Sequence, residues 1–274
     1  MSLIVTATDF SDVAANAVHY ACNLAIASSA EVVVMHAFIL PVAFNDVPMP
    51  VVPIDEARQS AEEGINSFVA ELQRAYPTLT ISGKVSYGDI TDSLQEYAEE
   101  TQPSVVVIGN SGEEGMSFWW GSNMLSALKN LPCPVVAVPL ASKHNGIKNI
   151  CFACDYKDIS EKLPVKQLLD IIKMTGAQLH VLNVSHDNSN FTPDTPLDSG
   201  LLHEMLQEAA PVYHYTDSKD IDAGIQNFIE SNSMDWLVVM PHKHSFFAGL
   251  FHKSHTSSMA RMSHVPLVAI HEKG

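Results

Sequence analysis

Val105-Val106-Val107-Ile108-Gly109-Asn110-Ser111-Gly112 is an unbroken apolar run that passes straight into two glycines, and Gly121-Ser122 follows eight residues later at the head of a helical stretch. A run this short and this apolar fits a strand covered on both faces, the kind that builds parallel sheets. Glycines let a backbone approach phosphate closely, and a helix start offers unpaired N–H groups and a positive dipole end, with Ser122 as a natural cap. Spaced glycines also shape ordinary surface loops, so the stretch speaks to fold before it speaks to function.

Working outward, strands are predicted at 2–7, 31–38, 79–87, 104–108 and 134–139, and helices at 12–27, 55–76, 90–100 and 121–130. This alternation predicts a doubly wound, mostly parallel sheet with helices on both faces. After 141–148, a polar stretch that reads as a linker, the succession returns in shorter form. Its strands fall at 149–154, 178–184, 212–216, 236–240 and 267–271, and its helices at 163–175, 220–232 and 254–262, with a weaker one at 200–209. Laying 104–138 on 236–270, a constant shift of 132, matches Val106, Val107, Ser122, Pro134, Val136 and Ala137 with Val238, Val239, Ser254, Pro266, Val268 and Ala269. The chain therefore reads as two tandem α/β domains, 1–141 and 147–274, each with its own five-stranded, mostly parallel sheet. The closing strands, 135–139 and 267–271, are expected at the junction, related by an internal pseudo-twofold axis.

Composition narrows the function classes. The 274 residues suffice for two cores, and 15 basic against 31 acidic residues give a net charge of −16. That field repels phosphate backbones and anionic lipid, so neither nucleic acid nor a membrane is an expected partner. No apolar run reaches the roughly 18 to 20 residues of a spanning helix, and Met1 to Asp9 lacks the basic flank of a signal peptide; a cytoplasmic protein is expected. Cys151 and Cys154 form a Cys-x-x-Cys, but strand spacing sends them to opposite faces and no second pair completes a metal site. Buried strand cysteines are the preferred reading.

Several segments together resemble the universal stress protein family: Thr6-Ala7-Thr8-Asp9-Phe10-Ser11, Val34-Met35-His36-Ala37, the glycine stretch, and Pro132-Cys133-Pro134-Val135-Val136-Ala137-Val138-Pro139. The resemblance covers both halves and implies a Rossmann-like fold of the adenine nucleotide alpha hydrolase type. In nucleotide-binding members the glycines follow Gly-x2-Gly-x9-Gly-Ser/Thr. Carried over residue by residue, the resemblance implies a nucleotide, ATP or AMP with magnesium, in the first half. Its contacts would be Ala7, Thr8, Asp9 and Ala37, then Ile108, Gly109 and Gly112, with Gly121, Ser122, Asn123 and Met124 at the phosphates. This chain has eight residues between Gly112 and Gly121 instead of nine, and carries Glu113 and Glu114 where binders usually have a basic residue. Two carboxylates beside a triphosphate oppose binding unless a metal intervenes.

In the second half Pro241, His244 and Lys253 replace the three glycines, Ser254 keeps the helix-opening serine, and Asp155 sits where Asp9 would. By the family's pattern this half does not bind ATP in the usual way. Yet 241–264 holds Lys243, Lys253, Arg261 and five histidines without a carboxylate. His252, Lys253, Ser254 and His255 at a helix start form a candidate anion seat, set against a packed loop whose histidines satisfy backbone carbonyls. His242-x-His244 and His252-x-x-His255, without an accompanying acid or cysteine, are weak zinc signals. Phe118-Trp119-Trp120 in one half and Phe246-Phe247 with Phe251 in the other read as packing between halves or between chains, in preference to a hydrophobic ligand pocket.

No Gly-Lys-Ser/Thr phosphate loop and no histidine and acid matched to Ser122 are present. The leading expectation is a stress-response binding or regulatory module, an intrachain pseudo-dimer with a homodimer also open. A slow ATPase or phosphotransfer protein, and a scaffold without ligand, remain the alternatives.

Overall fold

A computed structural model describes residues 2–39, 53–110, 126–154, 163–185, 195–240 and 265–271. In chain order the first half runs β1 (Leu3–Ala7), α1 (Asp12–Ser28), β2 (Glu31–Phe38), α2 (Ile54–Ala75), β3 (Ile81–Tyr87), α3 (Ile90–Thr101), β4 (Val105–Asn110) and β5 (Val135–Pro139). The second runs β6 (Asn149–Ala153), α4 (Val165–Thr175), β7 (Gln178–Ser185), α5 (Thr195–Leu206), β8 (Val212–Asp217), α6 (Ile221–Ser231), β9 (Trp236–Val239) and β10 (Leu267–Ala269). Residues 126–130 are also helical. The weak helix expected at 200–209 begins earlier, at Thr195, where Pro196 suits a first turn that needs no N–H donor.

Local chemistry starts the helices where the sequence says it should. Ser11 Oγ accepts from Ala14 N at 3.3 Å at the head of α1, Asp89 Oδ1 from Thr91 N at 2.7 Å before α3, and Asp220 Oδ1 from Ala223 N at 3.0 Å before α6. Val105 to Ile108 are fully buried, as a strand with helices on both faces requires. Helices α1, α2 and α4 cover one face of the sheet, and α3, residues 126–131 and α6 the other. Cys151 and Cys154 fall in the cores on opposite faces, both thiols buried and neither in a disulfide.

The fold class is the mixed, mostly parallel α/β architecture that the alternation implied. The number of sheets differs from expectation. The described strands form one ten-stranded sheet, ordered β3-β2-β1-β4-β5-β10-β9-β6-β7-β8, because β5 and β10 pair antiparallel. All other neighbours are parallel. The physical reason lies in burial: β5 and β10 are buried along their whole length, and a buried strand cannot leave one row of N–H and C=O groups unpaired.

The joint is reinforced on both sides. The Trp236 indole N–H donates to Tyr20 OH at 2.7 Å, tying β9 to α1, and the His271 Nε2–H donates to the Leu128 carbonyl at 2.6 Å. Trp236 is fully buried; covering roughly 150–250 Å² of indole is worth about 4–6 kcal/mol at about 25 cal/mol per Å². The connecting stretch is held in place as well. Asn16 Nδ2 donates to the carbonyls of Pro139 and Ser142 at 3.1 and 3.0 Å, the rings of Tyr20 and His144 meet edge to face at 5.1 Å, and Asp235 Oδ2 accepts from Lys148 N and Asn149 N. The segment that reads as a linker is thus packed onto both halves.

Candidate functional site

At the C-terminal end of β1 the chain leaves the sheet through a loop built from its own short side chains. Thr8 N donates to the Met35 carbonyl at 2.9 Å, Thr8 Oγ1 accepts from Phe10 N at 2.9 Å, and Asp9 Oδ1 accepts from Ser11 N at 2.9 Å. Thr8 is buried and Asp9 is exposed. Phe10 takes a left-handed backbone at φ 65°, a conformation uncommon outside glycine. Its ring is seated 4.5 Å from the His36 ring and 6.0 Å from Phe68, and Gly64 gives it room, since a Cβ there would lie 3.3 Å from Phe10 Cζ.

One side chain fixes this loop. His36 Nδ1 lies 2.8 Å from the Thr8 carbonyl, so Nδ1 carries the proton and donates, which leaves Nε2 as an acceptor. The second half repeats the device with a different residue: Cys154 N donates to the Leu182 carbonyl at 2.9 Å, and Asn183 Nδ2 donates to the Cys154 carbonyl at 2.8 Å. His36 and Asn183 are loop-fixing positions that sequence reasoning did not single out. The available signal was a polar residue near the end of each second strand, clear in the largely apolar β2 and blurred in β7 by Gln178, His180 and Ser185.

Of the sequence-derived site residues, the structure brings Ala7, Thr8, Asp9, Ala37, Ile108 and Gly109 to the C-terminal ends of β1, β2 and β4, which are neighbours in the sheet. The strand order reverses direction between β1 and β4, the topological switch point of such a sheet. Gly109 has a packing reason of its own: a Cβ there would stand 2.8 Å from Val13 Cγ1 and 2.9 Å from the Val13 carbonyl oxygen, so only glycine lets α1 close onto β4. Gly112, Gly121, Ser122, Asn123 and Met124 lie outside the described residues, as do His252, Lys253, Ser254 and His255.

Alternation along β2 splits the surroundings of the loop. Ala37 shares a face with Val33 and Met35, towards α3, while His36 and Phe38 share a face with Val32 and Val34, towards α2. On the α2 face a cleft of about 510 Å³ is lined by Phe10, His36 and Phe38 and by Glu56, Ser60 and neighbouring alanines of α2.

The sequence profile of the universal stress protein family matches residues 1–139 and, a second time, residues 146–271. The chain belongs to that family. Among curated proteins none matches it. A universal stress protein from Archaeoglobus fulgidus DSM 4304 superposes with a TM-score of 0.70 at 17% identity, over 99% of this chain and 98% of that one. A functionally unknown protein from Pseudomonas aeruginosa PAO1 does so with a TM-score of 0.59 at 10% identity, over 98% and 92%. At these identities the likeness shows the fold. Within this universal stress protein no described helix is long and apolar enough to cross a membrane, and no three His, Cys, Asp or Glu side chains cluster at metal-binding distance among the described residues.

Proposed function

We propose that this universal stress protein is a stress-response binding module whose first half holds an adenine nucleotide, ATP or AMP, and that it acts through shape and partners instead of turnover. The observation that carries the reading is the tie between His36 Nδ1 and the Thr8 carbonyl at 2.8 Å. It fixes the first loop so that Asp9 stands exposed at the end of β1, between the ends of β2 and β4. Ligands of open α/β sheets bind outside the strand ends at this reversal.

In this reading Ala7, Thr8, Asp9 and Ala37 surround the adenosine and Ile108 and Gly109 lead towards the phosphates. Gly112, Gly121, Ser122, Asn123 and Met124 are assigned to the phosphates on their spacing. The residues present suit the nucleoside end: an exposed carboxylate accepts from ribose hydroxyls or an exocyclic amine, and the small Ala37 leaves space beside it. Glu113 and Glu114 call for magnesium beside a triphosphate, to offset two like charges. The halves serve in place of two subunits, supported by their antiparallel joint at β5 and β10. A cytoplasmic setting accords with four cysteines that form no disulfide.

Calorimetric titration of the full chain with ATP, with and without magnesium, tests the reading. Saturable binding that is lost in Asp9→Ala and in Gly121→Trp is expected, without steady phosphate release. Wild-type protein that takes up neither ATP nor AMP would sink it, and sustained phosphate release would replace the module by an ATPase.

A further inference from the structure

The cleft between β2 and α2 has a lining whose chemistry is one-sided. Phe10 and Phe38 offer aromatic rings, whose faces carry negative quadrupole charge. The His36 imidazole has Nδ1–H committed to the Thr8 carbonyl, so the neutral ring has only an acceptor left at Nε2. Glu56 adds a carboxylate from the first turn of α2, and Ser60 a hydroxyl one turn on. Among the described residues no Lys or Arg lines the cleft. The nearest basic residue on the same helix, Arg58, pairs with Glu62 at 3.0 Å and so leaves the Glu56 charge in place.

Apart from the Ser60 hydroxyl, which can donate or accept, the site consists of acceptors and ring faces, which repel phosphate and carboxylate and attract a cation that carries N–H donors. The net charge of −16 acts in the same direction at long range. The Phe10 wall is preorganised, because its left-handed backbone and its ring contacts with His36 and Phe68 hold it before any ligand arrives. A volume of about 510 Å³ suits a small organic molecule.

We propose that this cleft is a binding site for a small organic cation with an ammonium or amidinium head, held by the Glu56 carboxylate and the His36 acceptor against the rings of Phe10 and Phe38. It lies on the opposite face of β2 from the Ala37 side chain, so it does not depend on the nucleotide reading. The cation enters with its charge on the Glu56 side and its N–H groups shared between carboxylate and imidazole.

Benzamidine titrated into the full chain, with benzoate as the anionic control and followed by calorimetry and by shifts of the His36 ring signals, tests the site. Saturable one-to-one binding of benzamidinium alone is expected, at least tenfold weaker in Glu56→Gln and at least threefold weaker in Phe38→Leu. Circular dichroism of both variants confirms that they fold; Glu56 is exposed, so its variant keeps the core intact. Equal affinity in Glu56→Gln, equal binding of benzoate, or no saturable binding would overturn the proposal. Repeating the titration with ATP and magnesium separates the two sites: unchanged benzamidinium affinity supports an independent cleft, and simple competition would overturn its independence.

Discussion

Val136 and Val268 stand directly opposite each other in the antiparallel joint between β5 and β10, and each is the other's counterpart in the repeat at a shift of 132. A self-paired position of this kind is what a local twofold relation produces, because every contact on one side recurs on the other. The two flanking pairs, Leu267 with Ala137 and Ala269 with Val135, complete the joint. The joint is short, and the buried core on each face of the ten-stranded sheet runs across it, with residues of both halves in one cluster.

Val268→Asp is therefore expected to separate the halves without dissolving each of them. A carboxylate at a fully buried position with no partner costs more than about 4 kcal/mol. Urea unfolding followed by far-UV circular dichroism should change from one transition to two. A single transition at an unshifted midpoint would mean that the joint contributes little.

Trp236 and Tyr20 couple the halves through one buried hydrogen bond of 2.7 Å. Burial, partly offset by this bond and reinforced by Asp235, pushes the Tyr20 hydroxyl up to about 12, so it stays neutral at all working pH values. Tyr20→Phe strands the indole N–H and should cost about 1–3 kcal/mol. The double variant Tyr20→Phe with Trp236→Phe should lose less than the sum of the single variants, since no polar group is left unpaired. Additive losses in urea midpoints would argue against the coupling.

His36→Asn keeps a side-chain donor of the kind that Asn183 supplies to Cys154 in the second half. It should preserve the first loop, whereas His36→Leu leaves the buried Thr8 carbonyl without this partner and should cost about 1–3 kcal/mol. Amide exchange at Phe10 and Ser11 should accelerate in the leucine variant alone. Equal exchange in both would assign the loop's order to its local turns.

How far such features could be read in advance follows from their range. Val105 to Ile108 and Val32 to Met35 announce buried parallel strands by composition alone, and the three-residue spacing of Cys151 and Cys154 fixes their opposite faces. The first-loop residues Thr8 and Asp9 and the strand ends at Ala37 and Gly109 were named as a group only through the family resemblance, and the sheet order shows why they are neighbours: the α/β succession brings these strand ends together. The merging of two sheets was not legible, since it depends on three residues of β10 finding an edge some 130 positions away. Nor were the roles of His36, Asn183 and Asn16, each set by which carbonyl lies across a strand or helix gap. Gly109 was read for ligand approach, and its close contact with Val13 shows a packing demand that spacing cannot reveal.

His180 and His214, on neighbouring strands of the second half, give the chain a pH dependence whose sign can be worked out. Their nitrogens lie 2.9 Å apart, and His180 Nε2 is buried with no hydrogen-bond partner among the described residues. A stranded lone pair costs less than a stranded N–H, so the proton sits on His180 Nδ1 and donates to His214 Nε2. Burial, reinforced by the neighbouring imidazole, lowers the His180 pKa below 6.5, and burial alone lowers that of His214. Burial likewise lowers His19, helped by Lys143, and His144, where a backbone hydrogen bond and then Asp235 oppose it in part. Each group binds its proton more tightly when unfolded, so unfolding takes up protons as pH falls and stability rises with pH across this range. The stabilisation is complete above about pH 6.5 and declines as pH drops from there towards the lowered folded values. Melting temperature measured from pH 8 to 5.5 should stay level and then fall, and His180→Gln, which cannot be protonated, should fall less steeply. A wild-type profile flat to pH 5.5, or an identical slope in the variant, would show that the pair is protonated in the folded protein without penalty.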